Sequence, residues 1–409
     1  MKPASIVFGV EKLLTGLRDD LKARRFTPQR VREKTIPKAS GKVRRLGIPT
    51  VTDRVVQASL KLVFEADFKP CSYGFRPKRR AQDAIAEIHH LGSPNTNYHW
   101  VFEADIKACF DEIDHTALMG RVRDRVGDKR VLGLVKAFLK AGVLTEDGSR
   151  KATITGTPQG GILSPLLANI ALSVLDEHFT QKWEALGPEW SRRKHRRAGG
   201  STMRIVRYAD DFVVMVNGTR DDAEALWGEV AAVLAPMGLR LSEEKTRVCH
   251  IDDGFDFLGW HIQRRDQPSR AGHQAIYTYP SKKSLASIVG KVRALTAKAQ
   301  HRTLGDLLRR LNPVLRGWCA YFKHGVSKRT FSYIDHYAFG RIVRWVRKRH
   351  PRLNMGTLIR RQLPGWEIAD DRIKMFRPSE VAVKRYRYRG TKIPSPWASE
   401  TDKTPAPAA

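Results

Sequence analysis

Two adjacent carboxylates, Asp210 and Asp211, are the residues of this chain best placed to do chemistry. They follow Tyr208 and lie between two strand-like segments, residues 204–207 and 212–216, which predicts a β-hairpin with its turn at the acids. Two carboxylates this close repel each other, so one pKa rises unless a cation neutralises them. Mg²⁺ takes hard oxygen ligands and substrate phosphates, so the pair indicates phosphoryl transfer on nucleotides. Alternatively, the acids simply suit a turn.

A third acid, Asp105, ends an apolar strand-like segment that begins at Trp100, and a helix is predicted to start around residues 114–116. A two-metal site needs carboxylates that clamp both ions between the attacking and the leaving oxygen. A strand-end acid and a hairpin pair, from separate strands of one sheet, supply three such carboxylates. Taken alone, Asp105 also fits a helix-capping or ion-paired acid.

The overall charge of the chain favours a polyanionic partner. Lys and Arg total 74 among 409 residues against 42 Asp and Glu, so the net charge is +32 and the isoelectric point is about 10.3. Each phosphate that a basic group neutralises releases counterions, which favours nucleic acid. A membrane surface, or simple solvation of the charges, is the alternative. A chain of this length predicts two or three domains.

The apolar and cysteine patterns exclude several classes of protein. The sequence has no run of about 18 apolar residues that would predict a membrane-spanning helix, and its N-terminus lacks the apolar core of a secretion signal. The four cysteines are far apart, so neither a disulfide framework nor a zinc knuckle is indicated. A reducing, cytoplasmic setting fits these observations.

Nine short segments, in a fixed order along the chain, resemble the sequence blocks of the reverse transcriptases encoded by group II introns, also called intron maturases. The segments are residues 42–50, 53–57, 72–77, 105–111, 156–169, 208–211, 241–246, 257–260 and 311–322. The resemblance covers roughly residues 30–350. It implies an α+β fold, in which a right-hand polymerase with fingers and an antiparallel palm sheet is followed by an α-helical thumb or maturase domain.

The resemblance also implies a division of the chain into four regions. These are an N-terminal segment and fingers at 1–100, a palm with the catalytic core and part of the fingers at 101–275, a helical thumb or maturase domain at 276–350, and a basic C-terminal region with a disordered end at 351–409. Two departures from the family pattern are a shortened N-terminal extension and the loss of about one helical turn between Val63 and Phe64. The second departure is expected to shift the loop that holds Tyr73 and Arg76.

By resemblance, Asp105, Asp210 and Asp211 are the catalytic carboxylates, and with the carbonyl of Ile106 they hold two Mg²⁺ ions. Asp105 and Asp210 are the expected main ligands, and Asp211 is a supporting ligand or an orienting acid. A wider set of residues is expected to bind the incoming dNTP. These are Lys42, Arg44, Arg76, Ile106, Phe110, Gln159 and Lys245.

The resemblance implies specific roles for three of these residues. The Arg44 guanidinium can bind phosphate oxygens bidentately, and Lys245 can protonate the leaving pyrophosphate or stabilise its charge. The Phe110 ring would lie under the sugar and clash with a 2′-OH, which predicts use of dNTPs over NTPs. Two alternatives stay open: Arg76 also fits a structural ion pair, and Phe110 also fits a core aromatic.

Three basic segments are predicted to contact nucleic acid. Residues 191–200 form a basic loop ahead of the hairpin, residues 341–348 a ridge on one helix face, and residues 384–389 a run of bases interleaved with aromatics. A solvated charge run is the alternative for the first, and a strand with alternating faces for the last. The residues singled out are Arg192, Arg193, Arg196, Arg341, Arg344, Arg347, Lys348, Lys384 and Arg385.

These inferences predict an RNA-directed DNA polymerase of a group II intron, which copies RNA into DNA and assists intron splicing and retrohoming. The expected partners are the intron RNA, an RNA template with a DNA primer, dNTPs and target DNA, with no membrane. The expected place is the bacterial cytoplasm, and the nucleoid when DNA is bound. A domesticated cellular reverse transcriptase, serving defence or repair, is one alternative. An RNA-binding splicing factor with a vestigial polymerase is another.

Overall fold

In the computed structural model the chain forms two compact units. The described residues are 3–37, 41, 43–64, 68–158, 160–267, 270, 272–297, 303–370 and 373–393. The first unit comprises the chain up to Ala84, Trp100–Val248 and the end from Arg389, and the second comprises Ile85–His99 and Cys249–Tyr388. The four-region division stays a prediction, and the predicted disordered end lies outside the described residues.

Two four-stranded sheets organise the first unit. Its strands are β1 (Val31–Pro37), β2 (Val43–Ile48), β3 (Trp100–Asp105), β4 (Val143–Leu144), β5 (Arg150–Lys151), β6 (Thr202–Tyr208), β7 (Asp211–Asn217) and β8 (Arg247–His250), whose end enters the second unit. Its helices are α1 (Pro3–Lys22), α2 (Val51–Phe64), α3 (Ala81–Leu91), which also continues into the second unit, α4 (Cys109–Glu112), α5 (His115–Arg123), α6 (Lys129–Lys140), α7 (Ser164–Ala185), α8 (Glu189–Arg197), α9 (Arg220–Glu224) and α10 (Leu226–Leu234).

The second unit combines a three-stranded antiparallel sheet, a two-stranded sheet and a set of helices. Its strands are β9 (Phe255–Phe257), β10 (Trp260–Asp266), β11 (Gln274–Pro280), β12 (Ala369–Asp370) and β13 (Ile373–Lys374). Its helices are α11 (Lys282–Ala297), α12 (Leu304–Phe322), α13 (Lys328–Arg349) and α14 (Met355–Gln362). The three-stranded sheet has the order β11-β10-β9, and the two-stranded sheet pairs β12 with β13. Within the described ranges, no helix has the length and apolar character needed to cross a membrane.

One sheet of the first unit has the strand order β6-β7-β3-β8, with antiparallel pairing of β6, β7 and β3. Its central strand β7 is a continuous apolar run, and all five side chains from Phe212 to Val216 are buried. Phe212, Val214 and Val216 share a core with α7, a helix that is apolar over most of its surface and therefore buried. The antiparallel palm sheet that the resemblance implies is confirmed.

The other sheet of the first unit has the strand order β2-β1-β4-β5 and carries the β1–β2 hairpin. These two strands pair antiparallel, with Pro37 opposite Val43 next to the hairpin tip. A Cβ on Gly47 would lie 2.8 Å from Val31 and 3.0 Å from Pro158, so β2 packs closely on the segment after residue 157. This hairpin positions Arg44.

The helices of the second unit share an apolar core built at helical spacing. Thr303 begins α12 with a capping box, in which its side chain and that of Asp306 each accept a backbone N–H. The α-helical domain that the resemblance implies after the palm is confirmed by α11, α12 and α13. The fully buried leucines of α12 are Leu307, Leu308, Leu311 and Leu315.

The structure corrects the predicted basic loop at residues 191–200, because most of it forms helix α8. Arg and Lys are good helix formers, and Glu189 in the first turn forms ion pairs with Arg193 (3.3 Å) and Arg196 (3.0 Å). Basic groups in the last turn also complement the helix dipole. The helix was missed because no apolar stripe marks it in the sequence.

Gly325→Ala is expected to destabilise the second unit. A Cβ there would lie 2.2 Å from the Trp260 ring and 2.6 Å from the Thr278 carbonyl, so the buried indole must move, at a cost of about 1–3 kcal/mol. Gly340→Ala in α13 is the matched control. Its Cβ meets no atom within 4 Å, and alanine is favoured in a helix interior by about 1 kcal/mol. Thermal unfolding of the full chain measures both, and equal midpoints would contradict this packing.

Candidate active site

The two adjacent acids lie at the tip of the β6–β7 hairpin. Tyr208 and Asp211 form its last pair, so Ala209 and Asp210 make the two-residue turn. Ala209 is buried with φ +58°, a left-handed conformation that is strained for a residue other than glycine. The hairpin predicted from the sequence is confirmed, with its turn at the acids.

Asp105 is the last residue of β3 and lies directly opposite Asp211 in the antiparallel register. Such partners have Cα atoms about 4.5–5.5 Å apart, and Asp210 is the neighbouring turn residue. Beyond the strand end, the Ser242 N–H donates to the Asp105 carbonyl at 2.8 Å. Three carboxylates, two at strand ends and one in a turn, therefore lie together at one end of the sheet.

The carboxylates repel one another, and their pKa values reflect this. Burial, followed by the charges of Asp210 and Asp105, raises the pKa of Asp211 to about 6. Burial, with help from Asp105, also raises the pKa of Asp210 against the opposing charges of Arg44 and Lys245. The Lys245 ammonium donates a hydrogen bond to the Asp105 carboxylate, which raises the lysine pKa. The cluster as a whole favours additional positive charge.

The donor set suits a hard divalent cation. All three acids, Asp105, Asp210 and Asp211, offer carboxylate oxygens, which are the ligands that Mg²⁺ prefers. Among the described residues, no three His, Cys, Asp or Glu side chains are already drawn together as a ligand set, and Asp105 holds the Lys245 ammonium. The site therefore has the right donor chemistry, with one of its carboxylates engaged by a lysine.

A buried arginine that the sequence analysis missed fixes the turn from behind. Arg207 in β6 is completely buried, and its Nη1 donates to the Ala209 carbonyl at 3.0 Å. Its Nε and Nη2 bind both carboxylate oxygens of Asp176 in α7, the first at 2.8 Å. Nη1 also donates to Asn169 Oδ1 at 2.8 Å, and Nη2 to Ser72 Oγ at 2.9 Å. One side chain thus ties the β6–β7 hairpin to a helix and to a loop.

The loop around Gly74 packs flat against the same turn. The Tyr73 N–H donates to the Arg207 carbonyl at 2.8 Å. A Cβ on Gly74 would lie 2.4 Å from the Ala209 nitrogen, so only glycine permits this approach. Asn169 Nδ2 donates to the Gly74 carbonyl at 2.9 Å and so holds the loop in place.

Charge in an apolar context is the signal that would have found this network. Arg207 follows Ile205 and Val206 in a buried strand, and Asp176 interrupts a largely apolar helix. A charge buried in such surroundings must be paired. Two lone opposite charges in buried elements therefore predict each other as partners.

Phe110, the predicted sugar gate, lies in the short helix α4 and is half-buried against the main core. Ala108, with φ +45°, turns the chain between Asp105 and this ring. The Phe110 carbonyl accepts the Thr157 N–H at 2.6 Å, and a Cβ on Gly156 would lie 2.5 Å from that oxygen. The backbone around residue 157 therefore fixes where the ring stands, and both alternatives for its role stay open.

Besides Lys245, two predicted nucleotide contacts lie near the carboxylates, and two lie outside the described residues. Arg44 is exposed on β2, and its charge lowers the pKa of Asp210, so it is within electrostatic reach of the site. Ile106 is buried directly after the third acid. Lys42 and Gln159 are the two residues outside the described ranges.

Arg76 is used by its own loop. Its Nη1 donates to the carbonyls of Lys69 and Ser72, both at 2.8 Å, and the guanidinium lies 5.6 Å from the Phe68 ring centre. Burial lowers its pKa to about 10. These contacts favour a structural role for Arg76. Its partners are two carbonyls and a ring, instead of the carboxylate of the ion pair that was the alternative.

The predicted nucleic-acid contacts on α8 differ in exposure. Arg193 is exposed. Arg192 instead lies 4.1 Å from the Trp183 ring centre, and Arg196 is paired with Glu189. Arg192 therefore faces the protein, whereas Arg196 is engaged by a residue of its own helix.

The predicted ridge on α13 is mostly exposed. Arg344, Arg347 and Lys348 face solvent, as the helical spacing predicts. Arg341 is half-buried, and its Nε donates to Thr296 Oγ1 at 2.9 Å, so this member also packs within the second unit.

The interleaved run near the C-terminus is not a strand, because residues 381–389 adopt no regular secondary structure. Lys384 and Arg385 are exposed. The Tyr388 hydroxyl donates to the Glu87 carboxylate at 2.7 Å, so this aromatic anchors the segment to its own unit.

An antiparallel sheet that carries acids on the adjacent strands β3 and β7, and on the turn that leads into β7, has the arrangement of a nucleic-acid polymerase that works with metal ions. Residues 36–262 match the reverse transcriptase (RNA-dependent DNA polymerase) family, and residues 285–363 match the group II intron maturase-specific domain. The chain therefore belongs to the reverse transcriptase/maturase family of group II introns. Membership in this family implies catalysis that depends on divalent metal ions.

Curated relatives agree with this assignment. Protein YkfC of Escherichia coli is 36% identical over 305 residues, which cover 68% of this chain and 79% of the relative. The group II intron-encoded protein LtrA of Lactococcus lactis is 33% identical over 307 residues, which cover 63% of this chain and 50% of the relative. The chain thus spans about half the length of LtrA. A solved telomerase of Candida albicans aligns over 82% of this chain and 62% of its own at 14% identity and a TM-score of 0.40, which adds nothing to the assignment.

Arg207→Met is expected to destabilise the protein by about 3–5 kcal/mol, because it leaves the Asp176 carboxylate buried without a partner. The double variant Arg207→Met/Asp176→Leu should recover much of this loss. Arg204→Met is the matched control on the same strand, since Arg204 is half-buried on the Trp183 ring and should cost about 1 kcal/mol or less. The shift in thermal unfolding midpoint measures all three, and a double variant as unstable as the single one would contradict the pairing.

Proposed function

We propose that this protein is an RNA-directed DNA polymerase of a group II intron, which copies RNA into DNA and assists intron splicing and retrohoming. One observation carries the proposal: Asp105 lies opposite Asp211 in strand register, with Asp210 in the turn beside them. Three carboxylates at one sheet edge match the ligands that two-metal nucleotidyl transfer needs. The family match over residues 36–262 and 285–363 supports the same conclusion.

The three carboxylates have separate roles in this proposal. Asp105 and Asp210 hold two Mg²⁺ ions together with the Ile106 carbonyl, and Asp211 supports or orients them. When bound, the ions supply the charge that lowers the pKa of the primer 3′-OH and stabilises the leaving oxygen. The buried hairpin contributes by fixing the carboxylates before the substrate arrives.

Cationic side chains neutralise the triphosphate in the same proposal. Arg44 binds phosphate oxygens as a bidentate donor. Lys245 leaves the Asp105 carboxylate when pyrophosphate departs. It then protonates the pyrophosphate or stabilises its negative charge. Lys42, Arg76 and Gln159 complete the proposed dNTP pocket.

The net charge of +32 supports polyanionic partners. We assign these as the intron RNA, an RNA template with a DNA primer, and target DNA, met in the bacterial cytoplasm and at the nucleoid. The similarity to a group II intron-encoded protein supports the intron among them. The proposed contacts are Arg192, Arg193, Arg196, Arg341, Arg344, Arg347, Lys348, Lys384 and Arg385.

Asp210→Ala is expected to slow RNA-templated primer extension at least about 100-fold, because loss of a metal ligand removes several kcal/mol of charge stabilisation. Asp221→Asn on α9 is the control and should extend at the parental rate. The assay uses the full chain, an RNA template with a DNA primer, dNTPs and Mg²⁺. Extension by Asp210→Ala would overturn the metal-site assignment, and no extension by the parent despite tight RNA binding would favour the splicing-factor alternative.

Phe110→Ala is expected to admit NTPs. If the ring excludes a 2′-OH, removing a clash of about 1–3 kcal/mol raises the ratio of NTP to dNTP incorporation about 5- to 150-fold. Phe110→Tyr keeps the bulk of the ring and should keep the parental ratio. Single-nucleotide incorporation measures the ratio directly, and the same ratio in both variants would favour the core-aromatic alternative.

A further inference from the structure

The outward face of α8 has a composition that solvation alone does not explain. Trp190, Arg193, Lys194 and Arg197 are spaced three or four residues apart on one side of the helix, and all four are exposed. Trp190 is 70% exposed, whereas an indole is usually buried or seated at an interface. Arginine and lysine are ordinary on a helix surface, but a tryptophan set among them is not.

The opposite face of α8 is held against the protein. Arg192 stacks on Trp183 at 4.1 Å, and its Nε donates to the Trp183 carbonyl at 3.3 Å. His195 Nε2 lies 3.1 Å from the Ser201 carbonyl. These contacts fix the rotation of the helix, so Trp190 stays on the solvent side.

We propose that the outward face of α8 binds single-stranded RNA, with Trp190 stacked on an unpaired base and the neighbouring cations on the flanking phosphates. Aromatic stacking beside positive charge is how proteins hold single strands, and the unpaired bases of RNA are the ones open to such stacking. Within the described part of the chain, Lys194 and Arg197 form no ion pair. The proposal rests on the proposed function, because that function names RNA as the polyanion.

This face is separate from the catalytic edge. Helix α8 leads into β6 at the end opposite the turn, and the run from Thr202 to Tyr208 spans about 20 Å. The RNA bound here is therefore a single-stranded or bulged part at a distance from the base pair at the carboxylates. Loss of this contact should weaken RNA binding without stopping the chemistry.

Trp190→Ala is expected to weaken binding of a labelled, unstructured single-stranded RNA to the full chain about 5- to 150-fold, the loss of one base stack. Trp190→Phe keeps a stacking ring and should retain most of the affinity. Trp227→Ala on α10 removes another exposed tryptophan and should bind as the parent does. Fluorescence anisotropy measures all three. Unchanged affinity in Trp190→Ala, or an equal loss in Trp227→Ala, would overturn the proposal.

The cations have their own signature. Combining Arg193→Gln, Lys194→Gln and Arg197→Gln should lower the slope of log affinity against log salt by about 2, if each contacts one phosphate of a single strand. An unchanged slope, or an equal loss of duplex RNA binding in Trp190→Ala, would contradict stacking on an unpaired base.

Primer extension on a short template separates this proposal from the polymerase proposal. Trp190→Ala should extend at the parental rate, and Asp210→Ala should bind RNA as the parent does. Loss of extension in Trp190→Ala with unchanged RNA affinity would contradict the proposal that this RNA-binding face is separate from the carboxylates.

Discussion

The buried ion pair between Arg207 and Asp176 is the interaction on which the β6–β7 hairpin depends. Neither charge reaches water, so each is tolerated only because the other is present. The remaining donors of the guanidinium bind Ala209, Asn169 and Ser72, which join a turn, a helix and a loop at one point. A strained turn is thus held by contacts from three separate parts of the chain.

The first unit contains one group of charges that is fully paired and another that is not. Behind the turn, Arg207 is matched by partners on every side. At the turn itself, Asp210 and Asp211 have raised pKa values, which the positive charges of Lys245 and, for Asp210, Arg44 do not fully offset. Preorganised electrostatic catalysis requires charged groups that are held rigidly and are not already neutralised. The paired Arg207 network behind the acids of the turn meets this requirement. The geometry is therefore set before any substrate contributes to it.

Short-range pattern was sufficient to predict much of this architecture. The hairpin at Asp210 follows from two strand-like runs and a turn, and the exposed basic ridge on α13 follows from helical spacing. The Arg207 network was not predicted, because Asp176, Asn169 and Ser72 lie 31 or more residues from Arg207 in the sequence and meet it only once the fold exists. Helix α8 was missed because no apolar stripe marks it in the sequence. Arg76 shows that a basic residue in a motif can already be bound by neighbouring carbonyls.

Because Asp105 in β3 pairs with Asp211 in β7, any change in the length of either strand destroys the alignment of these two acids. Side chains alternate along a strand, so a slip of one residue would turn Asp105 to the other face and end its alignment with Asp211. Substitutions in these strands can adjust the site by degrees, whereas a single-residue insertion between Trp100 and Asp105 removes it at once. During evolution, insertions and deletions can therefore accumulate in the connecting loops, whereas the lengths of these two strands must stay fixed.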